Sequence, residues 1–122
     1  DEDREKIWAR NHTPDYSTPN KTAYTMKAFI IIGDKQGFLT CLTKEYREKN
    51  YPNGVRNYIK YVDYAKYYWL TINGKIIDFE KSDENSGLLL IKYTFNSNNK
   101  LRTQVVKFKM KKQGYRWLFN SL

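Results

Sequence analysis

The sequence predicts an α+β domain in which three N-terminal helices pack on one face of an antiparallel sheet of four to five strands. Two observations carry this. Apolar residues recur at helical spacing as far as Tyr67 and at alternate positions after it. The helical part comes first and the strand part second, an order that gathers helices on one face of an antiparallel sheet. The chain has 122 residues, 40% of them hydrophobic and 16% aromatic. A chain of that size buries roughly two-thirds of its unfolded surface and folds without metal or disulfide.

Residues 1–17 read as a lead-in to a single domain over 18–122. Asp1–Arg10 is charged and fits a short helix carrying Ile7 and Trp8; Asn11-His12-Thr13-Pro14-Asp15-Tyr16-Ser17 ends it with turn residues. Trp8 is expected to pin this segment to the body. Thr18-Pro19 starts the first main helix, with Thr as N-cap and Pro at the first helical position. Ala23, Met26 and Ile30 form its apolar stripe, with Tyr24, Ala28 and Ile31 beside it. The all-apolar run Ala28–Ile32 predicts deep burial of that end, and Gly33 closes the helix. Asp34 caps a second helix with Phe38, Leu39, Leu42 and Tyr46 as its buried stripe and Lys44 to Lys49 largely on its wet face. After the turn Asn50-Tyr51-Pro52-Asn53-Gly54, the spacing of Val55, Tyr58, Ile59 and Val62 predicts a third helix ending near Tyr67.

The strand half opens on Asn73-Gly74, a type I′ turn signal between Trp69–Ile72 and Lys75–Phe79. Ser82–Ser86 reads as a polar loop. Gly87–Phe95 is apolar on both faces and reads as a central strand. Asn96–Asn99 turns the chain into a strand over Leu101–Lys111, where Val106, Phe108 and Met110 face one side and Lys107, Lys109 and Lys111 the other. Gln113-Gly114 leads to a closing strand built on Tyr115, Trp117 and Phe119.

The formal net charge is +9, and its distribution is uneven. No acid follows Glu84, whereas Lys92, Lys100, Arg102, Lys107, Lys109, Lys111, Lys112 and Arg116 do. An acidic partner is one reading: nucleic acid, anionic lipid, wall polymer or acidic protein. AT-rich coding, which fills a surface with Lys and Asn, is the other. Lys92, Lys107, Lys109, Lys111 and Arg116 are the candidate residues for nucleic acid or another polyanion, with Tyr93 and Tyr115 as neighbouring aromatics. The bland counterpart is a solvated face whose lysines prevent edge-to-edge aggregation.

No constellation for chemistry stands out, so no catalytic residue and no metal or cofactor is expected. His12 is the single histidine and Cys41 the single cysteine, which excludes a His pair, a thiolate cage and an intrachain disulfide. Cys41 lies between Leu39 and Leu42 and reads as a small buried hydrophobe. Asp63, Asp78 and Glu80, near Tyr58, Tyr61 and Tyr64, are the carboxylates to weigh as a general base; Asp63 and Asp78 fall off the apolar stripes. The glycines sit singly at turns, which excludes a phosphate-cradling loop.

Several segments resemble the nuclear-transport-factor-two-like, or cystatin-like, cone fold over residues 18–122. Met26-Lys27-Ala28-Phe29 followed by Gly33-Asp34-Lys35-Gln36-Gly37-Phe38 is similar to that family's opening helices. Gly114-Tyr115-Arg116-Trp117 is similar to its last strand. The resemblance implies a curved sheet wrapping a helix, and a family of isomerases, dehydratases, ligand-binding lipoproteins and scaffolds. It also implies likeness to ectodomains of type IV secretion (conjugation) channels of Gram-positive bacteria.

The leading expectation is therefore a non-catalytic scaffold or protein-interaction domain of a secreted or membrane-anchored bacterial protein, a transfer-channel component being the specific version. The chain opens Asp1-Glu2-Asp3 rather than with Met, which fits a signal peptide or anchor upstream and an extracytoplasmic, cell-surface location. Protein partners or self-association are expected. One alternative is a lipoprotein domain binding a small apolar ligand through Phe29, Phe38, Tyr58 and Phe108. The other is polyanion binding through the basic strands.

Overall fold

A computed structural model describes residues 2–52 and 74–121. The expected third helix, with Tyr58, and the Trp69–Ile72 half of the Asn73-Gly74 hairpin lie outside these residues. Among the described residues four helices, α1 (Glu2–Asn11), α2 (Pro19–Ile32), α3 (Lys35–Thr40) and α4 (Lys44–Asn50), precede four strands, β1 (Gly74–Asp83), β2 (Ser86–Ser97), β3 (Lys100–Gln113) and β4 (Arg116–Phe119). The strands form one antiparallel sheet in the order β1-β2-β3-β4. The α+β class and the placing of β2 between two neighbours agree with the sequence.

Three side chains set where the helices begin. Thr18 accepts from the Lys21 N–H ahead of Pro19, Asp34 from Gly37 N–H, and Thr43 from Tyr46 N–H. Gly33 ends α2 in the left-handed region at φ 72°, as its position predicts. The single second helix expected after Asp34 is instead two. Cys41-Leu42-Thr43 leaves the helix and runs parallel to β4, with Leu42 bridged to Phe119. Thr43 followed by Lys44-Glu45 was the sequence signal for this restart: a cap with an acid in the first turn.

That break completes the outer edge of β4. Trp117 and Phe119 turn their backbone groups away from β3. Trp117 N–H donates to Tyr16 C=O at 2.8 Å, and Thr22 Oγ1 donates to Trp117 C=O at 2.6 Å. Phe119 N–H donates to Cys41 C=O at 2.8 Å, and Thr43 N–H donates to Phe119 C=O at 2.9 Å. All four edge groups are satisfied, as buried backbone requires. Segments from the lead-in, α2 and the α3–α4 junction are thereby tied to the last strand.

The core lies between the helices and the inner face of the sheet. Met26 and Ile30 of α2, Phe38 and Leu39 of α3, Leu89 and Ile91 of β2, Phe108 and Met110 of β3, and Trp117 and Phe119 of β4 belong to it. Phe108 meets Phe119 edge-on at 5.9 Å, and Phe79 meets Trp117 edge-on at 5.2 Å. Two expectations of burial need correction. Along Ala28–Ile32 only Ala28 and Ile30 are buried and Ile32 is 41% exposed, because α2 turns one side to the sheet. In α1 the buried anchor is Ala9 rather than Trp8: the indole is 38% exposed and lies under the Lys27 ammonium.

The expected loop over Ser82–Ser86 is shorter than its composition implies. β1 and β2 are joined by the turn Glu84-Asn85 alone. Asp83 Oδ1 accepts from Asn85 N–H and from Ser86 Oγ, and these bonds hold its carboxyl below the usual carboxylate range. At the far end, Asn98 and Asn99 both take positive φ, 52° and 62°, and turn β2 into β3 in two residues.

Candidate functional site

The register of the sheet decides what its outer face presents. β1 carries a bulge between Ile76 and Asp78. Ile76 points inward, and without the bulge Asp78 would follow it there. The extra residue, Ile77, moves Phe79 to the core and turns Asp78 and Glu80 outward. On β2, Leu89 and Ile91 are buried within the core, so Leu88, Leu90 and Lys92 face out. On β3, Phe108 and Met110 face in, and Lys107, Lys109 and Lys111 face out, all three exposed.

Reading across the strands, Asp78 pairs with Leu90 and Leu90 with Lys107. Glu80 pairs with Leu88 and Leu88 with Lys109. Over these two rows the outer face is striped: Asp78 and Glu80 on β1, half-buried Leu88 and Leu90 on β2, Lys107 and Lys109 on β3. Lysines two apart on a strand stand about 6.8 Å from one another, and the acidic and basic stripes lie about 10 Å apart. Among the described residues no ion pair engages Lys107, Lys109, Asp78 or Glu80. Exposed Ile77 and Val105, at 44% and 45%, add apolar surface beside the leucines.

Each residue proposed from the sequence for polyanion binding has a definite place. Lys92 lies opposite Val105 on the same outer face, with Lys75 across from it on β1. Lys111 pairs with Leu118 and lies near Glu45, whose carboxyl is held low first by its own backbone N–H and then by the Lys111 charge. Arg116 sits opposite Gln113 at the end of the stripe, with its guanidinium 4.6 Å from the Tyr16 ring centre. The two tyrosines do not join it. Tyr93 packs beside Phe95 and donates to Gln104, while Tyr115 stands 92% exposed in the turn at the other end of β3.

Phe38 and Phe108 have no exposed surface and are enclosed by other core side chains. Phe29 is half-buried, with its ring packed where a side chain on Gly37 would stand. Tyr58 lies outside the described residues. Two clefts are lined by other groups. One, of about 240 Å³, lies between α2 and β1 at Ala23, Tyr24, Lys27, Lys75 and Ile91. The other, of about 380 Å³, lies at Trp8, His12, Asp15, Lys21 and Tyr24.

His12 is not the exposed loop residue its sequence context implies. Thr25 Oγ1 donates to Asp15 C=O at 2.9 Å and accepts from Asp15 N–H at 2.9 Å. The hydroxyl proton is then spent, so at 3.2 Å it is His12 Nε2 that donates to Thr25. Cys41 is fully buried, and burial pushes its thiol far above the ordinary range. Among the described residues no group of three or more His, Cys, Asp or Glu side chains is placed to hold a metal ion.

No family model matches the chain, and no curated protein matches it. Among solved structures it is similar to a SEC-C motif containing protein from Rhodopseudomonas palustris, determined in solution, at 12% identity and a TM-score of 0.46 over 98% of this chain and 88% of that one. Likeness at that level transfers neither family nor function. None of the three comparisons points to the cone-fold family or to a secretion channel.

Sequence reasoning found the lysine stripe from its alternation but missed the acidic and leucine stripes beside it. Along β1 alone, Asp78 and Glu80 read as candidate carboxylates, with Asp78 off the apolar stripe. Their alternation with Phe79 was a signal; the strand register that sets them beside Leu88 and Leu90 was not visible.

Proposed function

We propose that the chain is a non-catalytic protein-interaction domain whose docking surface is the outer face of the sheet. One observation carries this: the face juxtaposes acids, leucines and lysines in adjacent stripes. A polyanion would be drawn to Lys107 and Lys109 but repelled by Asp78 and Glu80 two strands away. A protein partner offers opposite charges and an apolar ridge on one surface, which is what a mixed face requires. The half-buried leucines are the groups a partner would finish desolvating.

A photo-crosslinking residue in place of Leu90 tests this in the source cell. A covalent adduct with protein is expected, and none when the same residue replaces exposed Tyr115. Adducts with nucleic acid alone, or none at either position, would refute the proposal. Leu90→Glu should leave the fold intact by circular dichroism, because the side chain lies on the face away from the core.

A further inference from the structure

The striped face is complementary to itself. Resting on the proposal that this face docks protein, we infer that its partner is a second copy of the chain, seated face to face about a two-fold axis parallel to the strands. Rotation about that axis exchanges left and right across the sheet. It lays the β1 stripe of one copy over the β3 stripe of the other, so Asp78 and Glu80 meet Lys107 and Lys109, and the reverse pairing follows by symmetry. β2 lies on the axis, so Leu88 and Leu90 meet their own copies; Lys92 does so too at the end of the face, a single repulsion set against four acid–lysine pairs. A two-fold axis across the strands would instead set acid on acid and lysine on lysine, which is repulsive. The charge pattern therefore selects both the partner and the orientation.

The size of the face sets the strength. Three strands spaced by about 4.8 Å, along Ser86 to Lys92 at about 3.4 Å per residue, give roughly 15 by 23 Å. That is below the roughly 800 Å² per partner of a standard interface, so the dimer is weak and salt-sensitive.

Sedimentation velocity on the full chain at low salt, up to several hundred micromolar, tests the inference. The expected result is a monomer–dimer equilibrium that shifts to monomer as salt is raised. Two double variants each give the Asp78–Glu80 and Lys107–Lys109 stripes the same sign: Lys107→Glu with Lys109→Glu, and Asp78→Lys with Glu80→Lys. Each should raise the dimer dissociation constant by about tenfold or more, because four exposed ion pairs are lost and like charges oppose each other. An equimolar mixture of the two should form the heterodimer. The quadruple variant, with both stripes exchanged, should dimerise again by itself. Circular dichroism and melting of each variant distinguish lost association from lost folding.

A chain that stays monomeric throughout, or a dimer indifferent to all four substitutions, overturns the inference. If the Leu90 crosslink still forms with a different protein, the docking face stands and only its occupant is wrong. Monomer behaviour together with salt-dependent binding of heparin, lost in Lys107→Glu with Lys109→Glu, would overturn both readings in favour of a polyanion site.

Discussion

Thr22 offers the most direct test of how the last strand is held. Its side chain is fully buried on α2, and its hydroxyl donates to Trp117 C=O at 2.6 Å across the α2–β4 contact. That carbonyl points away from β3, so Thr22→Val leaves it buried without this donor. The loss is about 1–3 kcal/mol. A methyl group placed where the hydroxyl stands is also too close to the oxygen, so the value should fall in the upper part of that range. Thr22→Ser keeps the donor and removes one buried methyl, at about 1 kcal/mol. For a domain of this size each kcal/mol lowers Tm by roughly 3–5 °C. Urea unfolding followed by tryptophan fluorescence, with the m-value checked for constancy, gives both differences. The reasoning requires Val to cost more than Ser. If Thr22→Val is as stable as Thr22→Ser or more so, the hydrogen bond is not what ties α2 to β4.

Two further outcomes follow from particular contacts. A Cβ on Gly37 would run into the Phe29 ring, so Gly37→Ala should cost about 1–3 kcal/mol; in a Phe29→Ala background most of that cost should vanish, and an unchanged cost in the double-mutant cycle would place the constraint elsewhere. Cys41 is buried with its thiol pushed far above neutral, so a thiol reagent should leave it unmodified in the native chain and label it after urea unfolding. Equal labelling rates in the two states would contradict that burial.

The charges of the outer face bear little on folding stability. They are exposed, so removing one changes folding little, while reversing a whole stripe changes what the sheet can meet.

Local chemistry was legible wherever a residue acts on its own neighbours. Thr18-Pro19, Gly33 and Asp34 set helix ends through backbone bonds within one turn. Alternation along Val106 to Lys111 sorted the two faces of β3, because side chains on a strand must alternate. The lysine stripe followed from that alone.

What depends on a distant partner was not legible. The break at Cys41-Leu42-Thr43 exists because Phe119, far along the chain, needs two backbone partners on its free edge. Helical periodicity carried through that point, and an unsatisfied edge in another strand overrode it. The capture of His12 by Thr25 is of the same kind. So is the bulge at Ile77. One extra residue there inverts β1 from Asp78 to Lys81, sending Phe79 to the core and Asp78 and Glu80 to the outside. The sequence by itself determined which segments become helix or strand and which side of β3 is basic. Only the tertiary structure decided what lies beside that stripe, because register is a relation between strands and no single strand contains it.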